Sequence, residues 1–336
     1  MCEYSVEKED GVPTDWHLVH LGSFARGGAG LVMTEATAVN PVGRISPKDT
    51  GIYSDEQRDA WSRIVSFIHS QGAAAGIQLA HAGRKASVYR PWDASHGTVP
   101  AEEGGWQSVA PSPVAFTGYA VPVALDREGI ARVVADFAAG ARRALDAGFD
   151  LLELHAAHGY LLHQFLSPLS NQRQDEYGGT LENRARLLLE VVRAVREEAG
   201  DDVPLFVRFS ATDWADGGWN QEQTATVAAW AKDAGADLFD VSTGGLVANT
   251  TIPFGPGYQV PFADFVKHES IVDVSAVGLI TDARQAEDIV SSGKADAVML
   301  AREFLRDPHF PLRAARELGY DLPYWPPQYL RAKLPA

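Results

Sequence analysis

The residues best suited to chemistry sit in one stretch, "ELHAAHGYLLHQFLSPLSN", residues 153–171. His155 and His158 stand three apart where an apolar run ends, and Tyr160 follows. Imidazoles donate hydrogen bonds to a carbonyl or phenolate oxygen, and a tyrosine hydroxyl can deliver a proton. The plain alternative is a pair of packed core histidines. With His81, which ends "GIQLAH", the two would instead offer three metal ligands. Arg208 lies inside the apolar run "FVRFS", where a charge must be paired or face a ligand. Gln78 alternates with apolar neighbours in "GIQLAH". A buried carboxamide there either reads a ring bearing donors and acceptors or is satisfied within the core. Gly278 and the run "LAREFLRDP" (300–308) close the last two apolar runs. In that position backbone amides and the Arg302 guanidinium suit a phosphate.

Two further stretches carry a plainer reading. "SNQRQDEYGGTLENRARLLLE" contains Asn171, Arg173, Asp175, Asn183 and Arg184 and reads as an ion-paired, capped loop before a helix. The end, "YWPPQYLRAKLPA", is Pro-rich and aromatic, with Arg331 beyond the last helix. It is either a solubilising tail or an arm toward a neighbouring subunit.

The elements that must position these residues recur as apolar runs followed by amphipathic stretches, the mark of βα units. Strands are expected at 30–39, 74–81, 150–158, 204–210, 238–245, 273–279 and 295–303, apolar on both faces as buried parallel strands require. Helices are expected near 15–27, 55–71, 127–147, 181–199, 220–234, 259–269, 282–293 and 303–318. Eight helices against seven strands leave the first helix without a strand before it. A parallel α/β (TIM) barrel needs eight of each, whereas a doubly wound sheet accepts seven strands. Polar and glycine residues at the C-terminal strand ends favour the barrel, as does the lack of a G-x-G-x-x-G run after an early strand. Residues 83–126, rich in Pro, Gly and Trp, form a connection long enough to be a lid over the active-site face.

Composition narrows the partners. A chain of 336 residues with 46% hydrophobic content and no obvious linker fits one large domain over 1–336. A net charge of −15 repels nucleic acid and anionic lipid, so a small-molecule partner is expected. The single cysteine, Cys2, precludes an internal disulfide and favours the cytoplasm. No apolar run reaches membrane-spanning length.

Together, "MCEYS", "TEATAVNPVGR", "GIQLAHAGRKA", "HAAHGYLLHQFLSPLSNQRQDEYGGTLENRARLLLE", "VRFSATDW", "VGLITD" and "LAREFLRDP" resemble the old yellow enzyme family of flavin-dependent ene-reductases. The match is closer to its bacterial thermophilic-like branch, which includes xenobiotic reductases. The runs occur in family order over nearly the whole chain. The resemblance implies an FMN-containing barrel that reduces activated C=C bonds (enones, enals, maleimides, nitroalkenes) with NADPH or NADH. It implies that Gln78, with the backbone of Ala36, meets the flavin pyrimidine edge, and that Arg208 sits where negative charge develops. Gly278, Ala301 and Arg302 would hold the phosphate. His155 and His158 would bind the substrate oxygen, and Tyr160 would protonate the α-carbon. Cys2 matches a flavin-modulating cysteine, Tyr4 a substrate-pocket tyrosine, and Arg331 an arginine that enters a neighbouring subunit's site. That last match implies a homodimer or homotetramer, with the tail (319–336) directed at its neighbour. The family also carries a first barrel strand ahead of the Cys-x-Tyr stretch, which this sequence lacks. An open seam would expose strand edges and favour aggregation. The alternatives to an ene-reductase are a dienoyl-CoA-reductase-like FMN enzyme, a metal-dependent barrel hydrolase and an inactive truncated protein.

Overall fold

A computed structural model describes residues 1–333. Nine strands are present among them: β1 (Leu31–Ala38), β2 (Ala74–Ala80), β3 (Val109–Ala110), β4 (Val123–Ala124), β5 (Leu151–Ala156), β6 (Leu205–Ser210), β7 (Leu238–Ser242), β8 (Asp273–Ala276) and β9 (Ala297–Val298). The helices are α1 (Asp15–Arg26), α2 (Asp55–Ser70), α3 (Arg127–Asp146), α4 (Leu161–Leu166), α5 (Leu181–Ala199), α6 (Gln221–Asp233), α7 (Val260–Ser270), α8 (Ala283–Ser291), α9 (Arg302–Arg306) and α10 (Phe310–Glu317).

Seven strands pair in parallel in the order β1-β2-β5-β6-β7-β8-β9, and at least one helix separates each from the next. The expected (β/α) succession is therefore present with seven strands. Among the described residues β1 and β9 have one neighbour each, so the sheet curls without joining its ends. Ala297–Leu300 at that seam are half-buried, whereas Leu151–Ala156 of β5 are fully buried.

The helices start where the sequence supplies caps. Thr14 and Ser54 make capping boxes with His17 and Gln57, and Asp126, Thr180, Asn220 and Asp282 cap their helices through side-chain oxygens. The helix expected over 303–318 breaks into α9 and α10, because Pro308 and Pro311 interrupt the run. The strand expected over 295–303 shrinks to two residues, and α4 is a helix the apolar pattern did not resolve from the strand before it.

Strand burial is two-sided, but the expectation of two apolar faces is wrong. The helix-facing residues Ile77, Leu79, Leu152, Leu154, Val207, Phe209, Phe239, Val241 and Val274 form the core, with the Phe209 and Phe239 rings stacked at 5.9 Å. Along each strand the residues between them point inward, because side chains alternate with period two. Those are Gln78, Glu153, His155, Arg208, Asp240, Ser242 and Ser275, a polar inner face. The apolar runs hide it because every one of these except Ser242, which precedes Thr243, stands alone between apolar neighbours.

The 83–126 connection is ordered. It contains the β3–β4 pair and short 3₁₀ turns at Gly83–Lys85 and Ala101–Glu103. Its Trp106 and Tyr119 pack with Cys2, Tyr4 and Tyr160 against Ala36, Ile45, Ala80, Ala82, Ala86 and Val88.

Candidate active site

Strand register assembles the inner face. Ala36 on β1 lies opposite Gln78 on β2, which lies opposite Glu153 on β5. One layer nearer the C-terminal ends, His155 is opposite Arg208, Arg208 opposite Asp240, and Asp240 opposite Ser275. Gln78 Nε2 donates to Glu153 Oε1 at 2.6 Å, and Ser275 Oγ donates to Asp240 Oδ1 at 2.9 Å. Arg208 Nε lies 2.9 Å from Asp240 Oδ2, yet neither atom makes an aligned hydrogen bond, so charge and not direction holds this pair. Burial alone would lower the Arg208 pKa; Asp240 and Glu153 outweigh it and raise the pKa above the usual arginine value. The guanidinium is a fixed positive charge.

His155 and His158 form a directed chain. The Ala157 N–H donates to His155 Nδ1 (3.3 Å), His155 Nε2 lies 3.3 Å from His158 Nδ1, and His158 Nε2 lies 2.8 Å from Ser242 Oγ. Ser242 Oγ in turn donates to Gln259 Oε1. This order assigns the proton of each ring to Nε2. Burial, reinforced by the Arg208 charge, holds both imidazoles well below 6.5, so they act as neutral N–H donors. Tyr160 stands edge-on to His155 with ring centres 5.0 Å apart. Burial, then Cys2 and Asp49, pushes its phenol well above 10, so it keeps its proton.

The turn that carries His158 is conformationally demanding. His158 has φ 56° and Gly159 φ 73°. A Cβ on Gly159 would lie 2.3 Å from the Gly245 carbonyl oxygen, so only glycine permits the two backbones to touch. Four polar contacts fasten the turn: the His158 N–H donates to Ser210 Oγ, the Gly159 N–H to His163 Nδ1, Gln164 Nε2 to the Gly159 carbonyl, and Lys85 Nζ to the His158 carbonyl. His163 is itself held by Asp213 at 3.0 Å, which also accepts from Ser167 Oγ.

Cys2 and Tyr4 lie beside this group. Burial, then Asp49, pushes the half-buried Cys2 thiol up to about 12. Tyr4 has φ 48°, and its ring meets Trp92 edge-on at 5.7 Å. At the other end of the sheet Gly278 has φ 121°, and a Cβ there would meet Gln259 Nε2 at 2.7 Å. Ala301 leads into α9, and the exposed Arg302 makes no ion pair among the described residues, whereas Arg306 and Arg313 are both paired.

Other expected residues fall outside this group. His81 does not join His155 and His158 as a ligand set: its Nδ1 accepts from the Gly83 N–H. Among the described residues no three His, Cys, Asp or Glu side chains are placed to hold a metal ion. Arg173 pairs with Asp175 and donates to the Pro111 and Leu125 carbonyls, Asn171 and Asn183 cap backbone carbonyls, and Arg184 binds the Leu166 carbonyl. The loop reading holds. Arg331 is exposed in the 3₁₀ segment Pro327–Ala332, whose Tyr329 ring lies under Arg26; residues 334–336 of the tail lie outside the described residues. Sequence reasoning missed Lys85, Glu153 and Asp240. For the last two the signal was the one that exposed Arg208, a lone charge inside an apolar run.

The polar face suits a flavin. Gln78 keeps its carbonyl and one N–H free, Arg208 supplies a cation on the same face, and Gly278 with Arg302 lies where the sheet ends, as a phosphate-bearing ring cofactor needs. Residues 1–320 match the NADH:flavin oxidoreductase / NADH oxidase family. This chain belongs to that family. It is 50% identical over 333 residues to an NADPH dehydrogenase of Listeria innocua, covering 99% of this chain and 93% of that one. It is 45% identical over 334 residues to an NADPH dehydrogenase of Halalkalibacterium halodurans, with the same coverage. Morphinone reductase superposes with a TM-score of 0.78 at 28% identity, covering 98% of this chain and 86% of that one. A 2-naphthoyl-CoA reductase superposes at 0.86 with 25% identity over 94% of this chain; the chain spans about half the length of that reductase, 49%. The family member described here is accordingly an NADPH dehydrogenase of the old yellow enzyme type, with FMN as cofactor and NAD(P)H as reductant. Among the described residues no helix is long and apolar enough to cross a membrane.

Proposed function

We propose that this enzyme reduces the C=C bond of small activated alkenes: enones, enals, maleimides and nitroalkenes. The observation that carries the reading is the neutral His155–His158 pair with the protonated Tyr160 ring 5.0 Å from His155. FMN, when bound, would supply the hydride chemistry between NAD(P)H and the β-carbon of the alkene. On substrate binding His155 and His158 turn their Nε2–H groups from His158 Nδ1 and Ser242 Oγ to the carbonyl or nitro oxygen and stabilise the negative charge that gathers there as hydride arrives. Tyr160 delivers its phenol proton to the α-carbon, and its raised pKa keeps that proton available across the neutral range. Gln78 would orient the flavin ring with the Ala36 backbone beside it, and Arg208 would offset negative charge on that ring. Gly278, Ala301 and Arg302 hold the phosphate. Cys2 tunes the flavin through a neutral thiol, and Tyr4 lines the substrate side.

The same reading makes residues 83–126 the lid of a single 1–336 domain, places the protein in the cytoplasm, and makes it a homodimer or homotetramer. Arg331 of the 319–336 tail then enters the neighbouring site, consistent with its exposure in a segment that leaves the sheet.

The test is anaerobic. NADPH should bleach the flavin bands of the purified enzyme, and 2-cyclohexenone should restore them. A phenol should give a long-wavelength charge-transfer band in the wild type and none in His155→Ala/His158→Ala. An undiminished band in the double variant would refute the oxygen-binding role of the pair.

A further inference from the structure

Two carboxylates lie buried on the polar face, Glu153 and Asp240 at 0% exposed, and the partly exposed Arg208 guanidinium stands near both. One guanidinium cannot neutralise two carboxylates in a medium that penalises net charge. The partners decide which carboxylate is left over. Asp240 has the guanidinium at 2.9 Å and the Ser275 hydroxyl at 2.9 Å. Glu153 has only the uncharged amide of Gln78 on Oε1, and its buried Oε2 has no partner among the described residues.

We propose that Glu153 is a proton-holding positioning residue of the flavin site: it takes a proton from solvent when the cofactor is reduced and returns it on reoxidation. This rests on the flavin reading of Gln78 and Arg208. Negative charge gained beside Arg208 draws on the guanidinium field that otherwise favours the Glu153 carboxylate. The carboxylate then forms an O–H bond with a solvent proton. That bond breaks when the electrons leave, so protons and charge balance over the cycle and the hydride itself is untouched.

The surroundings of Glu153 fit this role. Burial, then Asp240 on β7, raises its carboxyl to about 7, while Arg208 on β6, the Gln78 amide on β2 and the chain's amino terminus pull the other way. On its own strand His155 is neutral. Protonation also leaves the Gln78 contact in place, so Glu153 fixes the amide in both redox states.

The experiment is a spectroelectrochemical titration of the FMN holoenzyme between about pH 6 and 9. Each proton coupled to a two-electron couple moves the midpoint potential by about 30 mV per pH unit. Below pH 7 Glu153 is protonated in both redox states and adds nothing. Above pH 7 the wild-type slope should exceed that of Glu153→Gln by about 30 mV per pH unit. Lys85, whose ammonium titrates at about 8, contributes to both proteins alike. Coincident slopes overturn the proposal. Should the variant fail to hold flavin, the reduced-minus-oxidised infrared spectrum of the wild type at pH 8 decides. A protonated-carboxyl band that appears on reduction and shifts with ¹³C-glutamate supports the role, and its absence refutes it. A wild-type protein that binds no flavin overturns this inference and the flavin reading together, whereas flavin bound with no extra proton overturns this one alone.

Discussion

Lys85 clamps His158 by its backbone: Nζ donates at 2.9 Å to the His158 carbonyl and at 2.9 Å to the Gly245 carbonyl. One ammonium therefore joins the loop after β5 to the loop after β7, and no carboxylate pairs with it among the described residues. The same Nζ lies 5.1 Å from the centre of the Tyr160 ring. Burial lowers its pKa to about 8.

Replacing Lys85 with Met removes two charge-assisted bonds and leaves two carbonyls short of a donor. The turn then holds His158 less firmly. Phenol affinity of the oxidised enzyme should fall about tenfold, about 1.4 kcal/mol, while FMN stays bound. Equal phenol affinities, measured by titrating the charge-transfer band, would show that the clamp does not position the histidine.

Gly159→Ala tests the close approach itself. The new methyl must displace the Gly245 carbonyl and also sit at φ 73°. Strain at such positions costs about 1–3 kcal/mol before any clash. Thermal unfolding should show at least that loss, accompanied by a fall in turnover. A variant as stable as wild type would mean the loop after β7 yields freely.

Acid should destabilise the fold through its buried histidines. Burial lowers His81 from 6.5 to about 4. Between those values the unfolded chain binds a proton that the folded chain refuses, so stability rises with pH across the window and is lost as pH falls through it. The full span is on the order of 3 kcal/mol. His81→Asn keeps an acceptor for the Gly83 N–H and should flatten the Tm–pH curve in this window. An unaltered curve would point to other groups.

The Cys2 thiol is neutral at every working pH because its pKa is about 12. Its influence on a flavin is then one of polarity and contact. Cys2→Ala should move the flavin midpoint potential by the same amount at pH 6 and pH 8 while turnover persists. Loss of FMN in that variant would make the cysteine structural.

Much of this was legible in the chain. His155, His158 and Tyr160 stood out because imidazoles and a phenol crowd the end of an apolar run, and the structure brings them together. Gln78 and Arg208 stood out as polar residues in apolar strands. Glu153 and Asp240 carry the same signature inside "LLELHA" and "LFDVS", but only register sets them beside Arg208. Register is a property of the paired sheet, so no single strand shows it. Lys85 was hidden for another reason: its acceptors are backbone carbonyls 73 and 160 residues away, which leave no mark in side-chain identity. The split of the last helix was in plain view, since Pro308 and Pro311 stand inside the run. Arg331 stands exposed in the Pro327–Ala332 segment, and one chain does not bring it to the other expected site residues.

The unjoined ends of the sheet make it a ladder with two free termini. Opening such a ladder begins at its outer rungs and moves inward, because each inner strand has bonded neighbours on both sides and each outer strand has one. Amide protons of β9 should therefore exchange first and those of β5, β6 and β7 last. The histidine turn and the Arg208 charge hang from those slow middle rungs, while Ala301 and Arg302 hang from the fastest. Ala301 and Arg302 thus depend on the part of the ladder most prone to fray, and a ligand bound there would itself be what closes it.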